Sequence, residues 1–304
     1  MKVFVTGATG YIGSSVAGRL IREGHEVLGL ARSLQAAEAL HSRGITPVLG
    51  DLDDVRTLAS GASSADGVIH AAFKLDANVD ASVSAERRAV SALMEAVRGT
   101  PKPLLFASRT AVLGDTGSLV YEEETPIAPH PFRGRLETES LVLETRDVHG
   151  IVLRPPNVYG LGDGHGIVSI LRHVGHKVGA VPFATGTGDH LWSFVHIDDL
   201  ATLFVLALTK AQQGERLHAG AQSGLQTRVI AEAVSRGIGL EGATAELSLR
   251  EMRSLFPVRP LADYWASNSQ SSSAKAIRLL RWQPEHLDML HDVANDSLPA
   301  TRKI

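Results

Sequence analysis

The sequence predicts an α/β fold, in which a doubly wound parallel sheet is followed by a smaller C-terminal lobe. Three observations support this fold class. Short apolar runs alternate with segments of helical periodicity over the first half of the chain, and the first run ends in closely spaced glycines. This alternation becomes irregular after Arg154-Pro155-Pro156. Such alternation is typical of βαβ units. We therefore predict one domain over 1–155, with a return segment at 191–222, and a lobe mainly over 156–304.

The composition is that of a water-soluble protein with a large core. The chain has 304 residues, of which 44% are hydrophobic and 21% are charged. Its net charge of −3 provides no basic surface for nucleic acid, and the absence of cysteine excludes disulfides and thiolate chemistry. No apolar run approaches the ~20 residues that a membrane helix needs. We expect a cytoplasmic protein without a nucleic-acid or membrane partner.

Six apolar runs in the first domain are bounded by polar residues or glycine, which is the pattern of buried strands. They lie at 2–6, 26–30, 46–49, 67–70, 103–107 and 150–153. Between the strands, apolar residues recur at helical spacing and predict helices at 12–23, 34–43, 54–60, 82–98 and 134–146. In a sheet of this kind, ligands bind at the carboxyl ends of the strands.

The second half of the chain is less regular. Glycine-rich loops at 160–166 and 179–188 flank a predicted helix, and a further strand is predicted at 193–197. Periodicity predicts helices at 167–174, 199–210, 227–236 and 249–255. The serine-rich segment 267–273 is polar and is predicted to be flexible.

The first strand leads into a phosphate-binding turn. Glycines let the backbone turn tightly and approach a pyrophosphate, and the start of the following helix offers N–H groups and a positive dipole. A strand before the glycines and an amphipathic helix after them are the context that this motif requires. The turn therefore predicts dinucleotide binding by Gly7, Thr9, Gly10, Tyr11, Ile12 and Gly13.

The ends of the next strands predict how the cofactor is held. Arg32 follows the second strand, where a carboxylate is typical of NAD sites, so NADP is favoured over NAD. Asp51, followed by Leu52, is placed to accept the adenine amino group, or it caps the next helix. The small side chains of Ala71 and Ala72 let the backbone lie against the dinucleotide. The alternative for Arg32 is a solvated surface residue.

Together these motifs resemble the extended short-chain dehydrogenase/reductase family of NAD(P)-dependent epimerase/dehydratase-like proteins. The matching segments are 6–13, 50–52, 70–72, 154–160, 194–199 and 280–284. The resemblance implies a Rossmann domain, a C-terminal substrate lobe and an active site between them that takes a small molecule. It implies cofactor contacts at Pro155 and Asn157, because an amide satisfies both groups of a carboxamide. A homodimer through helices 82–98 and 134–146 is a further family-level expectation.

One departure from the family concerns catalysis. The family uses a Tyr-x-x-x-Lys pair on the helix after the fifth strand, and alignment on Glu139 puts Pro131 and Arg135 at these two positions. None of the chain's tyrosines has lysine four residues later; they are Tyr11, Tyr121, Tyr159 and Tyr264. The chain thus resembles an atypical subgroup, and the standard mechanism does not carry over.

Other residues are therefore candidates for chemistry. Ser108 and Thr110 follow the fifth strand and could donate to a substrate oxygen, or they are ordinary turn hydroxyls. Lys74 follows the fourth strand and could replace the missing lysine, or it is a surface residue. Arg133 could contact the cofactor or a substrate carboxylate. No histidine pattern predicts a metal site.

Five aromatic residues of the second lobe either form its core or line an apolar cleft. They are Phe183, Trp192, Phe256, Tyr264 and Trp265. The function we predict is an NADP(H)-dependent oxidoreductase or epimerase-like enzyme acting on a small organic metabolite without the Tyr/Lys pair. The alternatives are a non-catalytic NADP-binding regulatory protein and a nonredox isomerase or lyase.

Overall fold

The structure is a computed structural model that describes residues 1–74, 79–128, 131–162 and 166–295. For Val79, Pro131 and Phe132 it describes the backbone only. Within these ranges, no helix combines the length and apolar character that crossing a membrane requires.

Strands and helices alternate along most of the chain. The strands are β1 Lys2–Thr6, β2 Glu26–Ala31, β3 Thr46–Leu49, β4 Gly67–His70, β5 Pro103–Ala107, β6 His149–Arg154, β7 Asn157–Tyr159, β8 Val181–Ala184, β9 Leu191–His196, β10 Arg216–His218, β11 Gln222–Gln226 and β12 Thr244–Leu247. The helices are α1 Tyr11–Arg22, α2 Leu34–His41, α3 Val55–Ser63, α4 Val79–Val97, α5 Arg135–Glu144, α6 Ile167–Val178, α7 Ile197–Lys210, α8 Thr227–Gly237, α9 Leu249–Leu255, α10 Arg259–Trp265, α11 Ala274–Leu280 and α12 Met289–Asn295.

The central sheet confirms the predicted doubly wound fold. Seven strands pair in parallel in the order β10-β6-β5-β4-β1-β2-β3. The strand order reverses between β1 and β4, so the carboxyl ends of these two strands form the crevice where such sheets bind ligands. All six predicted strands of the first half are present. The seventh strand, β10, lies in the return segment and was not predicted.

Both faces of the central sheet are covered, and strand β1 demonstrates how. Val3 and Val5 are fully buried on one face, in the cluster that includes residues of α1 and α7. Phe4 is fully buried on the other face, in the cluster that includes residues of α3 and α4. Because side chains of a strand alternate between faces, a continuous apolar strand must be covered on both sides.

The remaining strands form two small sheets beside a separate apolar cluster. One sheet has the order β11-β9-β7 and the other pairs β12 with β8. Four of the five aromatic residues predicted as core or cleft wall are buried in this cluster, namely Phe183, Trp192, Phe256 and Trp265. Tyr264 packs at its edge. The domain boundaries at 155 and 156 stay a prediction.

The prediction of a flexible segment at 267–273 is wrong. Ser269 and Ser271 are 2% and 0% exposed, and they form strand-like bridges with Trp192 and Tyr121, respectively. The Ser271 N–H donates to the hydroxyl of Ser193 at 2.9 Å. The Ser269 hydroxyl lies 2.7 Å from the Tyr264 hydroxyl, so this short polar side chain has a hydrogen-bond partner although it is buried.

A pair of helical glycines tests how tightly the covering helices pack. A Cβ on Gly61 of α3 would lie 2.6 Å from Cζ of Phe4, whereas a Cβ on Gly18 of α1 would lie 3.5 Å from the flexible Arg22 side chain. We expect Gly61→Ala to lower the free energy of unfolding by about 1–3 kcal/mol through overpacking. As the matched control, Gly18→Ala should be neutral or stabilising by up to ~1 kcal/mol. Equal effects of the two substitutions in urea denaturation would contradict this packing.

Candidate active site

The turn after β1 is held open for a ligand by backbone contacts that exclude side chains. Gly7 has φ +78°, and a Cβ there would lie 2.7 Å from the carbonyl oxygen of Ala71. A Cβ on Gly13 would lie 2.2 Å from the carbonyl oxygen of Gly7. No described side chain caps α1, and Thr9 and Gly10 are exposed. The turn and the first turn of α1 therefore present backbone to an anion without a competing side chain.

Tyr11 connects this turn to Gly160, the residue that follows β7. Its hydroxyl donates to the carbonyl oxygen of Gly160 at 2.5 Å. The next residue, Ile12, packs against the apolar cluster beneath α1. The predicted binding residues of the turn thus lie together at the carboxyl end of β1, and Tyr11 also fixes the position of the chain that follows β7.

The predicted adenosine contacts lie on neighbouring strand ends, because Ala31 of β2 pairs with Leu49 of β3. Arg32 is exposed beside them. Asp51 is also exposed, and its Oδ1 accepts from the N–H groups of Asp53 and Asp54 at 2.9 and 3.1 Å. The cap of α3 is the side chain of Asp54, which accepts from a backbone N–H, so Asp51 is not the helix cap. Leu52 is half-buried.

The end of β4 contains a buried histidine. The Nδ1 atom of His70 lies 2.9 Å from Oγ1 of Thr6, and His70 is fully buried. Burial, assisted by the charge of Arg135, lowers the pKa of His70 to about 3, so the imidazole is neutral. Ala71 and Ala72 follow and are half-buried, and the Ala71 N–H donates to the carbonyl oxygen of Thr6. Lys74 is exposed.

Arg135, which we aligned with the family's lysine, is engaged inside the protein. Its Nε donates to Glu86 at 2.7 Å, its Nη2 donates to the other carboxylate oxygen of Glu86, and Nη2 also donates to the carbonyl oxygen of Ala107 at 2.8 Å. Its guanidinium stacks on the rings of Phe73 and Phe106. Both members of the Arg135–Glu86 pair are buried. Desolvation raises the pKa of Glu86, although Arg135 opposes this rise.

A second buried ion pair holds Ser108. The Ser108 hydroxyl donates to Oε1 of Glu139, whose other oxygen lies 2.5 Å from Nη2 of Arg154. The Arg216 Nε atom is 3.7 Å from the same carboxylate. Nη1 of Arg154 also contacts Nε2 of His218 at 3.2 Å. The structure therefore places Ser108 against a buried ion pair and not among the residues that line the cavity described next.

A cavity of about 180 Å³ lies beyond the carboxyl ends of β5 and β6. Four polar residues face it: Arg109, Thr110, Asn157 and Tyr264. Its other walls are largely apolar and consist of Ala111, Pro155, Pro156, Gly166, Ile167, Ile170, Pro260 and Leu261. The backbone N–H of Thr110 donates to the carbonyl oxygen of Pro155 at 2.9 Å, which fixes the two strand ends to each other.

Tyr264 supplies a phenol to this cavity from helix α10. Its hydroxyl lies 2.7 Å from Oγ of Ser269, and its ring packs on Trp192 with centroids 4.8 Å apart. Burial raises the pKa of Tyr264, while hydrogen bonds with Ser269, Asn157 and Thr110 oppose the rise. The phenol is therefore protonated at neutral pH and is a hydrogen-bond donor.

Of the predicted site residues in this region, the structure brings Thr110, Pro155 and Asn157 together. Arg133 and Lys74 are exposed and are not among the cavity residues. Two polar cavity residues were not predicted from the sequence. Arg109 was not predicted as a site residue, and Tyr264 was not predicted as a hydrogen-bond donor. Arg109 stands between the two predicted hydroxyl residues, so its position was a usable signal. No pattern in the sequence predicted that residue 264 lies near residue 110.

Two histidines, His196 and His286, lie against each other at the start of α7. His196 and His286 stack with ring centroids 3.8 Å apart, and they form with Asp198 a group whose potential ligand atoms lie within 4.8 Å of one another. The Nδ1 atom of His196 accepts from the Asp198 N–H and so caps α7. His286 Nδ1 lies 3.2 Å from Asp199 Oδ2. These contacts give the two histidines a structural role at the start of α7.

Comparison with known proteins agrees with this architecture. The NAD dependent epimerase/dehydratase family matches residues 3–220. An uncharacterized protein of Schizosaccharomyces pombe is 36% identical over 300 residues, which cover 98% of this chain and 99% of that protein. The UDP-glucose 4-epimerase of Mycolicibacterium smegmatis is 28% identical over 94% of each chain. The crystal structure of UDP-glucose 4-epimerase from Stenotrophomonas maltophila, with bound NAD and formylated UDP-arabinopyranose, superposes with TM-score 0.75 at 21% identity over 98% of this chain and 96% of that one.

The buried His70 predicts a pH-dependent stability. The unfolded chain takes up a proton at this residue near pH 6.5, whereas the folded chain does so only at about pH 3. Stability therefore falls as the pH decreases through this interval, because the unfolded state binds more protons. We expect His70→Gln to reduce the slope of unfolding free energy against pH, between about pH 6 and pH 4, by up to about 1.4 kcal/mol per pH unit.

The matched control for this measurement is His173→Gln, because His173 is exposed on α6. It should leave the slope unchanged in chemical denaturation at several pH values. A His70→Gln protein with the parental slope would show that the imidazole is not held neutral by the fold.

Proposed function

The chain belongs to the NAD dependent epimerase/dehydratase family, and from this premise we propose that it is an NADP(H)-dependent oxidoreductase of a small carbonyl or hydroxyl compound. The observation that carries the proposal is the position of the polar cavity. Thr110, Asn157 and Tyr264 face a small cavity at the same edge of the sheet as the glycine turn after β1. This edge is where a doubly wound sheet binds its dinucleotide.

The residues of the turn fit a pyrophosphate. Side chains are excluded at Gly7 and Gly13 by carbonyl contacts under 3 Å, and the first turn of α1 supplies N–H groups and a positive dipole. Asn157 would hold the carboxamide of the nicotinamide, and Ala71 and Ala72 would let the cofactor lie close to the backbone. Bound there, the cofactor would supply or accept a hydride at the substrate carbon.

Arg32 carries the proposed preference for NADP. It is exposed at the end of β2, on the strand next to the one that precedes Asp51. A guanidinium donates two parallel hydrogen bonds to a phosphate, and a ribose hydroxyl cannot accept such a pair. The Stenotrophomonas epimerase was solved with NAD, so the choice of cofactor is specific to this chain and is open to a direct test.

The substrate oxygen would be polarised by Tyr264 and Thr110. A protonated phenol is a suitable donor to a carbonyl oxygen, and in the proposed arrangement the Ser269 hydroxyl, 2.7 Å away, donates to the phenol oxygen and leaves the phenolic proton for the substrate. Preorganised donors of this kind stabilise the negative charge that develops on oxygen when a hydride reaches the carbon. The proposal assigns no chemical step to Ser108 or Lys74, because neither lines the cavity.

The first test concerns the phenol. We expect Tyr264→Phe to lower kcat for NADPH oxidation on a panel of carbonyl substrates by about tenfold to a thousandfold, since one oxyanion donor is lost. The dissociation constant of NADPH should be unchanged, because the phenol contacts the substrate and not the pyrophosphate. Tyr121→Phe is the matched control, since Tyr121 does not line the cavity.

A transfer experiment with NADPH that carries deuterium at both C4 positions would separate the possible reactions. Deuterium in the product supports the oxidoreductase, whereas turnover without label supports a nonredox reaction. Tight NADPH binding with no turnover over the whole panel supports a regulatory protein and contradicts the proposal.

The second test concerns the cofactor. We expect Arg32→Ala to raise the dissociation constant of NADPH by about tenfold to a hundredfold, because a hydrogen bond to a charged group contributes about 1.5–3 kcal/mol. The dissociation constant of NADH should stay the same. Arg22→Ala, at the other end of α1, is the control. Equal weakening of both cofactors in calorimetry would contradict the role of Arg32.

A further inference from the structure

We propose that Arg109 is the receptor for a carboxylate of the substrate, so that the cavity selects carbonyl or hydroxyl acids. The inference deepens the proposed function and rests on it, since it concerns the same cavity. Three features of the described residues carry it: the guanidinium of Arg109, which has no ion-pair partner among them, the commitment of the nearby carboxylates to other arginines, and the position of the hydroxyl donors.

The guanidinium of Arg109 is held by a ring contact and has no ion-pair partner in the described part of the chain. It stacks on the ring of Phe73 at 4.9 Å and lines the cavity. Its Nε atom is buried and has no hydrogen-bond partner among the described residues, and none of their carboxylates lies within ion-pair distance of it. A buried guanidinium without a counter-ion is destabilising, and an anion in the cavity that Arg109 lines would offset this cost.

Two buried carboxylates near this region, among the residues that the structure describes, are already paired with other arginines. Glu86 accepts from Nε and Nη2 of Arg135, and Glu139 pairs with Arg154. Among the described residues Arg109 therefore has no ion-pair partner, although the charge of Glu86 acts on it from a greater distance. Burial and the neighbouring Arg135 lower the pKa of Arg109 to about 10, so it is charged at neutral pH. A surplus desolvated cation in a cavity attracts an anion strongly.

The size and polarity of the cavity favour a short acid. A volume of about 180 Å³ accommodates a ligand of roughly ten non-hydrogen atoms. A carboxylate on Arg109 would leave the carbonyl oxygen for the hydroxyls of Thr110 and Tyr264, with Ile167 and Leu261 against the hydrocarbon portion. Arginine binds a carboxylate through two parallel hydrogen bonds, which would also orient the substrate carbon.

The test is calorimetry with oxamate, a small carboxylate that cannot be reduced under these conditions, added to the protein saturated with NADP. Methyl oxamate and inorganic phosphate are the comparison ligands. We expect oxamate to bind, methyl oxamate to bind at least about tenfold more weakly, and Arg109→Met to weaken oxamate by about tenfold or more. Arg109→Lys should retain part of the affinity, since lysine keeps the positive charge but cannot form the two parallel hydrogen bonds of a guanidinium.

Arg228→Met is the matched control, because Arg228 also stacks on a phenylalanine, with its guanidinium 5.0 Å from the ring of Phe183, and is not a cavity residue. It should bind oxamate as the parent does. All variants should bind NADPH with the parental dissociation constant, which also verifies that they are folded.

Three results would overturn the inference while the proposed function stands: NADP binds and oxamate does not, oxamate binds equally to the parent and to Arg109→Met, or phosphate binds more tightly than oxamate. Loss of NADPH binding by the parent protein itself would instead remove the proposed function and this inference with it.

Discussion

The close approach of two backbone segments at the centre of the sheet is the constraint on which the site depends. Gly7 at the end of β1 lies against Ala71 at the end of β4, and Gly13 of α1 lies against Gly7. Any side chain at either glycine would separate these segments and fill the crevice where the strand order reverses. Because the parallel pairing aligns all strand ends at one edge, the same constraint determines where the cavity beyond β5 and β6 lies relative to the turn.

Buried ion pairs organise the region between the sheet and that cavity. The pairs Arg135–Glu86 and Arg154–Glu139 are each almost completely removed from water. Removing one partner of such a pair leaves an uncompensated charge, which costs about 3–5 kcal/mol, whereas the intact pair contributes little net stability. Their effect here is positional: Glu139 holds Ser108, Arg135 holds the end of β5, and neither carboxylate forms an ion pair with Arg109, which lines the cavity. A charge arrangement of this kind favours an acidic ligand over a neutral one.

Local patterns in the sequence predicted the first half of the fold well, because apolar runs and glycines report directly on strands and turns. The seventh strand, β10, was missed because its three residues have no run long enough to detect. The segment 267–273 was predicted to be flexible because serine suits both loops and buried bridges, and only tertiary contacts decide between them. Thr110 and Asn157 were predicted from the ends of their strands, and Arg109 is the neighbour of Thr110 in the chain. Tyr264 lines the same cavity from α10, and no local pattern in the sequence predicted this.

A crystal structure of the protein with NADPH would show whether the cofactor's reactive end lies beside the polar cavity. We expect the pyrophosphate on the first turn of α1 and the nicotinamide C4 facing the cavity, with room for a carbonyl carbon at about 3–3.5 Å from it, within reach of the Tyr264 hydroxyl. A nicotinamide directed away from Arg109 and Tyr264, or bound elsewhere on the molecule, would contradict this arrangement.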